Sequence, residues 1–109
     1  MNDIQLQIER RHDDGTAEPG VIVLAVAGDL DLATSEHLER AIADAAGDHP
    51  SEIVLDLRAV NFMDSSGLRA IVASGEDLAG AGTRVCIDGL SGAAQRLLEV
   101  TGLIEHLRR

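Results

Sequence analysis

Polar and apolar positions alternate at the start of the chain, where Ile4, Leu6 and Ile8 share one side. That is the period of a half-buried strand. The polar stretch RRHDDGTAEPG that follows contains Gly and Pro and suits a hairpin connection. VIVLAVAG (21–28) is instead a continuous apolar run, rich in β-branched residues and short for a helix. It predicts a central strand covered on both faces. After DLDLA the period changes to that of a helix, with Leu38, Ala41, Ile42 and Ala45 on one stripe. Thr34 or Ser35 is placed to cap it, and Gly47 and Pro50 to stop it. EIVLDL (52–57) reads as a second buried strand. A helix follows from near Ser65, with Leu68, Ile71, Val72, Leu78 and Ala79 as its stripe. TRVCID (83–88) is a further strand, and Ser91 opens a last helix carrying Ala94, Leu97 and Leu98. Gly102 stands where a left-handed cap is preferred, and LIEHL adds a short final turn.

The order β β α β α β α predicts an α/β fold, residues 1–109 forming a single domain without repeats or linkers. Strand–helix–strand units imply parallel pairing through right-handed crossovers, and the opening hairpin adds an antiparallel strand. The expected architecture is a mixed, mostly parallel sheet of four to five strands with three to four flanking helices. The order of strands in the sheet is not legible.

Composition narrows the function. Apolar residues make up 45% of the chain and Phe62 is its only aromatic, so the core is aliphatic. A net charge of −10 argues against nucleic acid and anionic membrane surfaces, which call for clustered basic side chains. All nine basic residues are arginine. The lack of lysine removes the P-loop and Schiff-base chemistries. Cys86, the single cysteine, sits between Val85 and Ile87 and reads as a buried strand thiol. The start of the chain has no apolar signal core, and a cytoplasmic location is the simplest expectation.

The residues with candidate chemistry lie in NFMDSSGLRA, where Ser65 and Ser66 open a helix after a strand. Projected at about 100° per residue from Leu68, Ser66 falls at about 160° and Ser65 at about 60°. This predicts that Ser65 or Asp64 caps the helix while Ser66 faces outward. Ser66, Ala70, Ala73, Ser74 and Asp77, flanked by Arg69, then form a small, nearly uncharged outer face. Such a face suits docking of another protein, or belongs to an ordinary alanine-rich helix.

A serine nucleophile needs a base within reach. His12, His37, His49 and His106 are not placed at a strand end facing Ser66, and the G-x-S-x-G elbow is missing because Asp64 stands where its first glycine would. A serine hydrolase is the remaining enzymatic alternative. A response-regulator receiver is excluded by the absence of lysine. Asp29, Asp31 and Asp64 are more simply caps or loop residues than Mg²⁺ ligands.

VAGDLDLATSEHLERAI, IVLDLRAVNFMDSSGL and RLLEVTGL resemble, in order, three stretches of the STAS-domain anti-sigma factor antagonists, over residues 4 to 107. The resemblance implies a non-enzymatic regulator that binds an anti-sigma factor, itself a GHKL-type serine kinase, and so frees a sigma factor. Phosphorylation would release the complex, and a PP2C-type phosphatase would restore binding. The phosphoacceptor it implies is the second serine, Ser66. Taken with the outer face of the helix, it leads to expected partner contacts at Asp29, Asp31, Thr34, Met63, Asp64, Ser65, Ser66, Gly67, Arg69, Ala70 and Ala73. Asp29 replaces the glutamate of the family's G-E-L-D block, and Arg69 occupies a variable position that could tune the choice of kinase. No cofactor is expected, since ATP and Mg²⁺ belong to the kinase, and the chain is expected to be a monomer or weak dimer. The alternative within the family is a STAS protein with a different partner, such as a signalling scaffold or a lipid-transport complex.

Overall fold

The computed structural model describes residues 5–11 and 20–109. Its elements run β1 (Leu6–Arg11), β2 (Val21–Leu30), α1 (Ser35–Ala46), β3 (Glu52–Met63), α2 (Ser65–Ala79), β4 (Arg84–Leu90), α3 (Gly92–Thr101) and α4 (Ile104–Leu107). One sheet holds the four strands in the order β1-β2-β3-β4, β1 antiparallel to β2 and the rest parallel. This is the mixed, mostly parallel sheet that the element order predicts. Ile4 and most of the predicted hairpin connection, residues 12–19, lie outside the described residues.

The sheet grows in one direction, so the right-handed crossovers β2-α1-β3 and β3-α2-β4 put both helices on the same face. Ile22, Leu24 and Val26, Ile53, Leu55 and Leu57, and Val85 and Ile87 point to that face. They form one core with Leu38, Ile42, Ile71, Ala94, Leu98 and Leu107 of the helices. Burying each such side chain contributes roughly 1.5–3 kcal/mol. The same topology corrects the expectation that β2 is covered twice. Its positions alternate buried and half-buried, with Val23, Ala25 and Ala27 turned to the face without helices. A shallow groove of about 610 Å³ crosses that face between Glu9, Arg11, Ala25, Asp56 and Arg58.

β3 runs farther than EIVLDL suggests. Beyond Leu57 it keeps its pairing with β2 as far as Met63 opposite Leu30, whereas β4 ends with Leu90 opposite Leu57. The stretch from Arg58 to Met63 overhangs β4, and α3 packs beside it. Register shifts between Ala25 and Ala27 and between Gly28 and Asp29 mark bulges in this part of β2. The overhang carries the chain to the start of α2.

α3 follows the sequence closely. Ser91 caps it by accepting the Ala94 N–H at 3.1 Å, and Gly102 closes it at φ 76°. After α4, the Arg109 N–H donates to the Ile87 carbonyl at 2.9 Å. Arg84 and Arg109 both bind the Glu52 carboxylate at 3.1 Å. No helix among the described residues is long and apolar enough to cross a membrane.

Candidate functional site at the start of helix 2

The serine pair is set by what precedes it. Asp64 is extended (φ −120°, ψ −174°), and its carboxylate accepts the N–H groups of Ser66 at 2.9 Å and Gly67 at 3.3 Å. This is an N-cap bond pair that stabilises the helix by about 1 kcal/mol. Of the two capping candidates, Ser65 or Asp64, the carboxylate does the capping. Neither serine hydroxyl has a hydrogen-bond partner among the described residues.

Gly67 brings the second half of the site into place. A Cβ there would stand 2.6 Å from Leu30 Cγ and 2.8 Å from the Leu30 carbonyl oxygen. The Asp64 N–H donates to that same oxygen at 3.2 Å. The end of β2 is therefore pressed against the first turn of α2, with Asp29 and Asp31 on either side of the contact. The Asp31 carboxylate accepts the N–H groups of Ala33 at 3.0 Å and Thr34 at 3.2 Å. Thr34 occupies the N-cap position of α1 without a side-chain cap bond. Its hydroxyl donates instead to the Asp29 carbonyl at 2.7 Å, tying the loop back to the strand.

The projection of α2 needs a correction. Ser65 is exposed and Ser66 half-buried, the reverse of the expected order. Ala70, placed on the outer face, is only 2% exposed. Ala73, Ser74 and Asp77 line a crevice against Glu39, Ile42 and Ala43 of α1. The small, uncharged stripe is thus the seam along which α2 packs on α1, where small side chains let two helices approach. The face left to solvent carries Ser65, Arg69 and Glu76, at the i, i+4, i+11 spacing of one side of a helix.

Other expected contact residues also turn inward. Met63 and Gly67 are buried beneath the helix start, and Thr34 is held under its loop. Asp29, Asp31 and Asp64 are half-buried, while Ser65 and Arg69 are exposed. The surface open to a visitor is the Ser65–Arg69 side of α2 with these three carboxylates around its base. Sequence reasoning passed over Leu32 and Phe62, both exposed at this end of the sheet. Their signal was an apolar side chain off the buried stripe of its element.

The arrangement offers a hydroxyl at a helix N-terminus, where the helix dipole favours negative charge. Among the described residues no histidine is hydrogen-bonded to Ser65 or Ser66. Nor do the described residues include three or more His, Cys, Asp or Glu side chains grouped to hold a metal ion. Cys86 lies away from the site. Burial pushes its thiol up to about 12, with the Glu52 carboxylate, 3.1 Å from Sγ, adding to the shift.

Comparisons with known proteins bear on the family and the fold. The family model described as STAS domain matches residues 14–108. The anti-sigma-F factor antagonist RsfB of Mycobacterium tuberculosis is 34% identical over 89 residues, 82% of this chain and 72% of that protein. The anti-sigma F factor antagonist of Paenibacillus polymyxa is 31% identical over 94% of this chain and 84% of its own. Among solved structures, an anti-sigma factor antagonist from Mycobacterium paratuberculosis superposes with a TM-score of 0.77 at 32% identity. That match covers 94% of this chain and 82% of the other. With a family match over residues 14–108 and a superposition over 94% of its length, the chain belongs to the STAS domain family.

Proposed function

We propose that this chain is an anti-sigma factor antagonist. It binds an anti-sigma factor through the end of the domain where α2 begins, and phosphorylation of the serine pair releases it. The chain is a substrate in this scheme, not a catalyst. The anti-sigma factor is a GHKL-type serine kinase that brings its own ATP and Mg²⁺, and a PP2C-type phosphatase reverses the modification. The names of its relatives support the antagonist role. The observation that carries the switch is the hydroxyl of Ser65, exposed and unbonded, at the first turn of a helix whose cap is supplied by Asp64.

Exposure supports Ser65 as the acceptor, in place of the Ser66 that the family resemblance implied and helical projection favoured. Ser66 lies on the stripe that continues into Ala70 and Ala73 against α1, where a kinase active site has less room. A phosphate on Ser65 adds close to two negative charges beside Asp64. The positive end of the helix dipole favours it, and Ser65 is exposed, so the fold tolerates it. A partner surface that had accepted a small neutral hydroxyl does not. The cost to binding is on the order of 3 kcal/mol, about a hundredfold in Kd.

The test is incubation of the purified chain with ATP and the anti-sigma kinase it binds, followed by mass spectrometry. Wild type and Ser66→Ala are expected to gain one phosphate, and Ser65→Ala none. Phosphate retained by Ser65→Ala and lost from Ser66→Ala would return the role to Ser66. Absence from both serines of the wild type would remove the proposed switch.

A further inference from the structure

α3 carries more apolar surface than its packing on the core uses. Ala94 and Leu98 are buried in the core, which is the single stripe a surface helix needs. A second stripe of Ala93, Leu97 and Val100 runs beside it and ends in the open, with Val100 82% exposed. It faces Phe62, 50% exposed on the part of β3 that overhangs β4. The two elements frame a hollow of about 320 Å³, also lined by Met63 and Arg96. Leu32, 77% exposed in the loop after β2, lies at the same end of the sheet. These three are the large apolar side chains exposed among the described residues. Exposed apolar side chains scattered singly are ordinary, but their collection at one end marks an interaction surface.

We propose that the hollow between Phe62 and Val100 anchors the anti-sigma factor, which seats an apolar side chain in it while its active site addresses the serine pair. This rests on the proposed function. Continuity and charge argue for that occupant. Phe62 is two residues from Asp64, so one partner surface spans both features. Asp29 stands opposite Phe62 in the β2–β3 register and Asp64 follows two residues on; in a chain of net charge −10 these favour a basic surface around an apolar anchor. The hollow supplies affinity and the serine supplies the switch.

Phe62→Ser and Val100→Ser test this, since both side chains are exposed enough for the fold to survive their loss; an unchanged Tm checks that. The probe is a purified anti-sigma factor kinase shown to bind the wild-type chain. Each variant is expected to raise its Kd at least about tenfold, as truncating an interface anchor does. Asp44→Asn, near the far end of α1, is expected to leave Kd unchanged. Wild-type affinity in both serine variants would overturn the anchor while leaving the antagonist reading intact. Failure of the wild type to bind any anti-sigma factor would overturn that reading, and the named occupant with it.

Discussion

Ser65 and Ser66 are adjacent in sequence, and neither hydroxyl is hydrogen-bonded among the described residues, but they differ in access. Ser65 is exposed on the open side of α2 and Ser66 is half-buried. A pull-down with the anti-sigma factor is therefore expected to be weakened by Ser65→Asp on the order of a hundredfold and by Ser66→Ala less than tenfold. Cys86 gives the opposite kind of residue-scale prediction. Its thiol, held to about 12 chiefly by burial, stays protonated at pH 8 and donates to Glu52. The native protein should therefore react with a thiol reagent far more slowly than the unfolded chain, whose cysteine titrates near 8.5. Equal rates would contradict the burial. The sequence had shown Cys86 as an inert strand thiol, because its apolar neighbours share a continuous β pattern. It did not show Glu52 reaching across from β3.

At the scale of elements, the meeting of β2 and α2 is the most sensitive point. Gly67→Ala forces a methyl against Leu30 and its carbonyl. The expected loss is about 1–3 kcal/mol, read as a Tm lower by roughly 4–8 °C per kcal/mol for a small domain. Asp64→Ala removes the cap bonds at about 1 kcal/mol and is expected to be milder. A Gly67→Ala protein with the Tm of the wild type would refute the close contact. These elements were legible where local chemistry decided them: the α3 cap at Ser91, the stop at Gly102 and the buried run of β3. The α2 projection failed because helical phase at a first turn depends on cap dihedrals. A stripe of alanine and serine is also equally compatible with solvent and with a neighbouring helix. Only the position of α1 decides between them, and that is a property of the sheet order, which sequence did not reveal.

Among the described residues the sheet has one face covered by helices and one without them. On the face without helices the Asp56 carboxylate is buried between Arg11 at 2.9 Å and Arg58 at 2.7 Å, and the Arg58 bonds hold it below the usual carboxylate range. A lowered folded pKa contributes stability above the unfolded value near 3.9, and that contribution fades as pH falls through the folded value. Asp56→Asn is thus expected to cost about 1–2 kcal/mol at pH 7, toward the lower end because both arginines are partly exposed. The difference from wild type should shrink below pH 4 in urea titrations. A difference independent of pH would assign the loss to packing. The serines sit at the start of α2 and take no part in these ion pairs. A Ser65→Asp protein should accordingly keep the wild-type Tm within a few degrees while losing its partner.

Phe62 is the chain's only aromatic residue, and its ring stands at the mouth of the hollow and not inside the core. The protein is consequently almost dark above 295 nm, and a single indole installed as Phe62→Trp would report from that spot without background. Its emission should shift to the blue when another molecule covers it, giving an optical readout of complex formation that leaves the folding core silent.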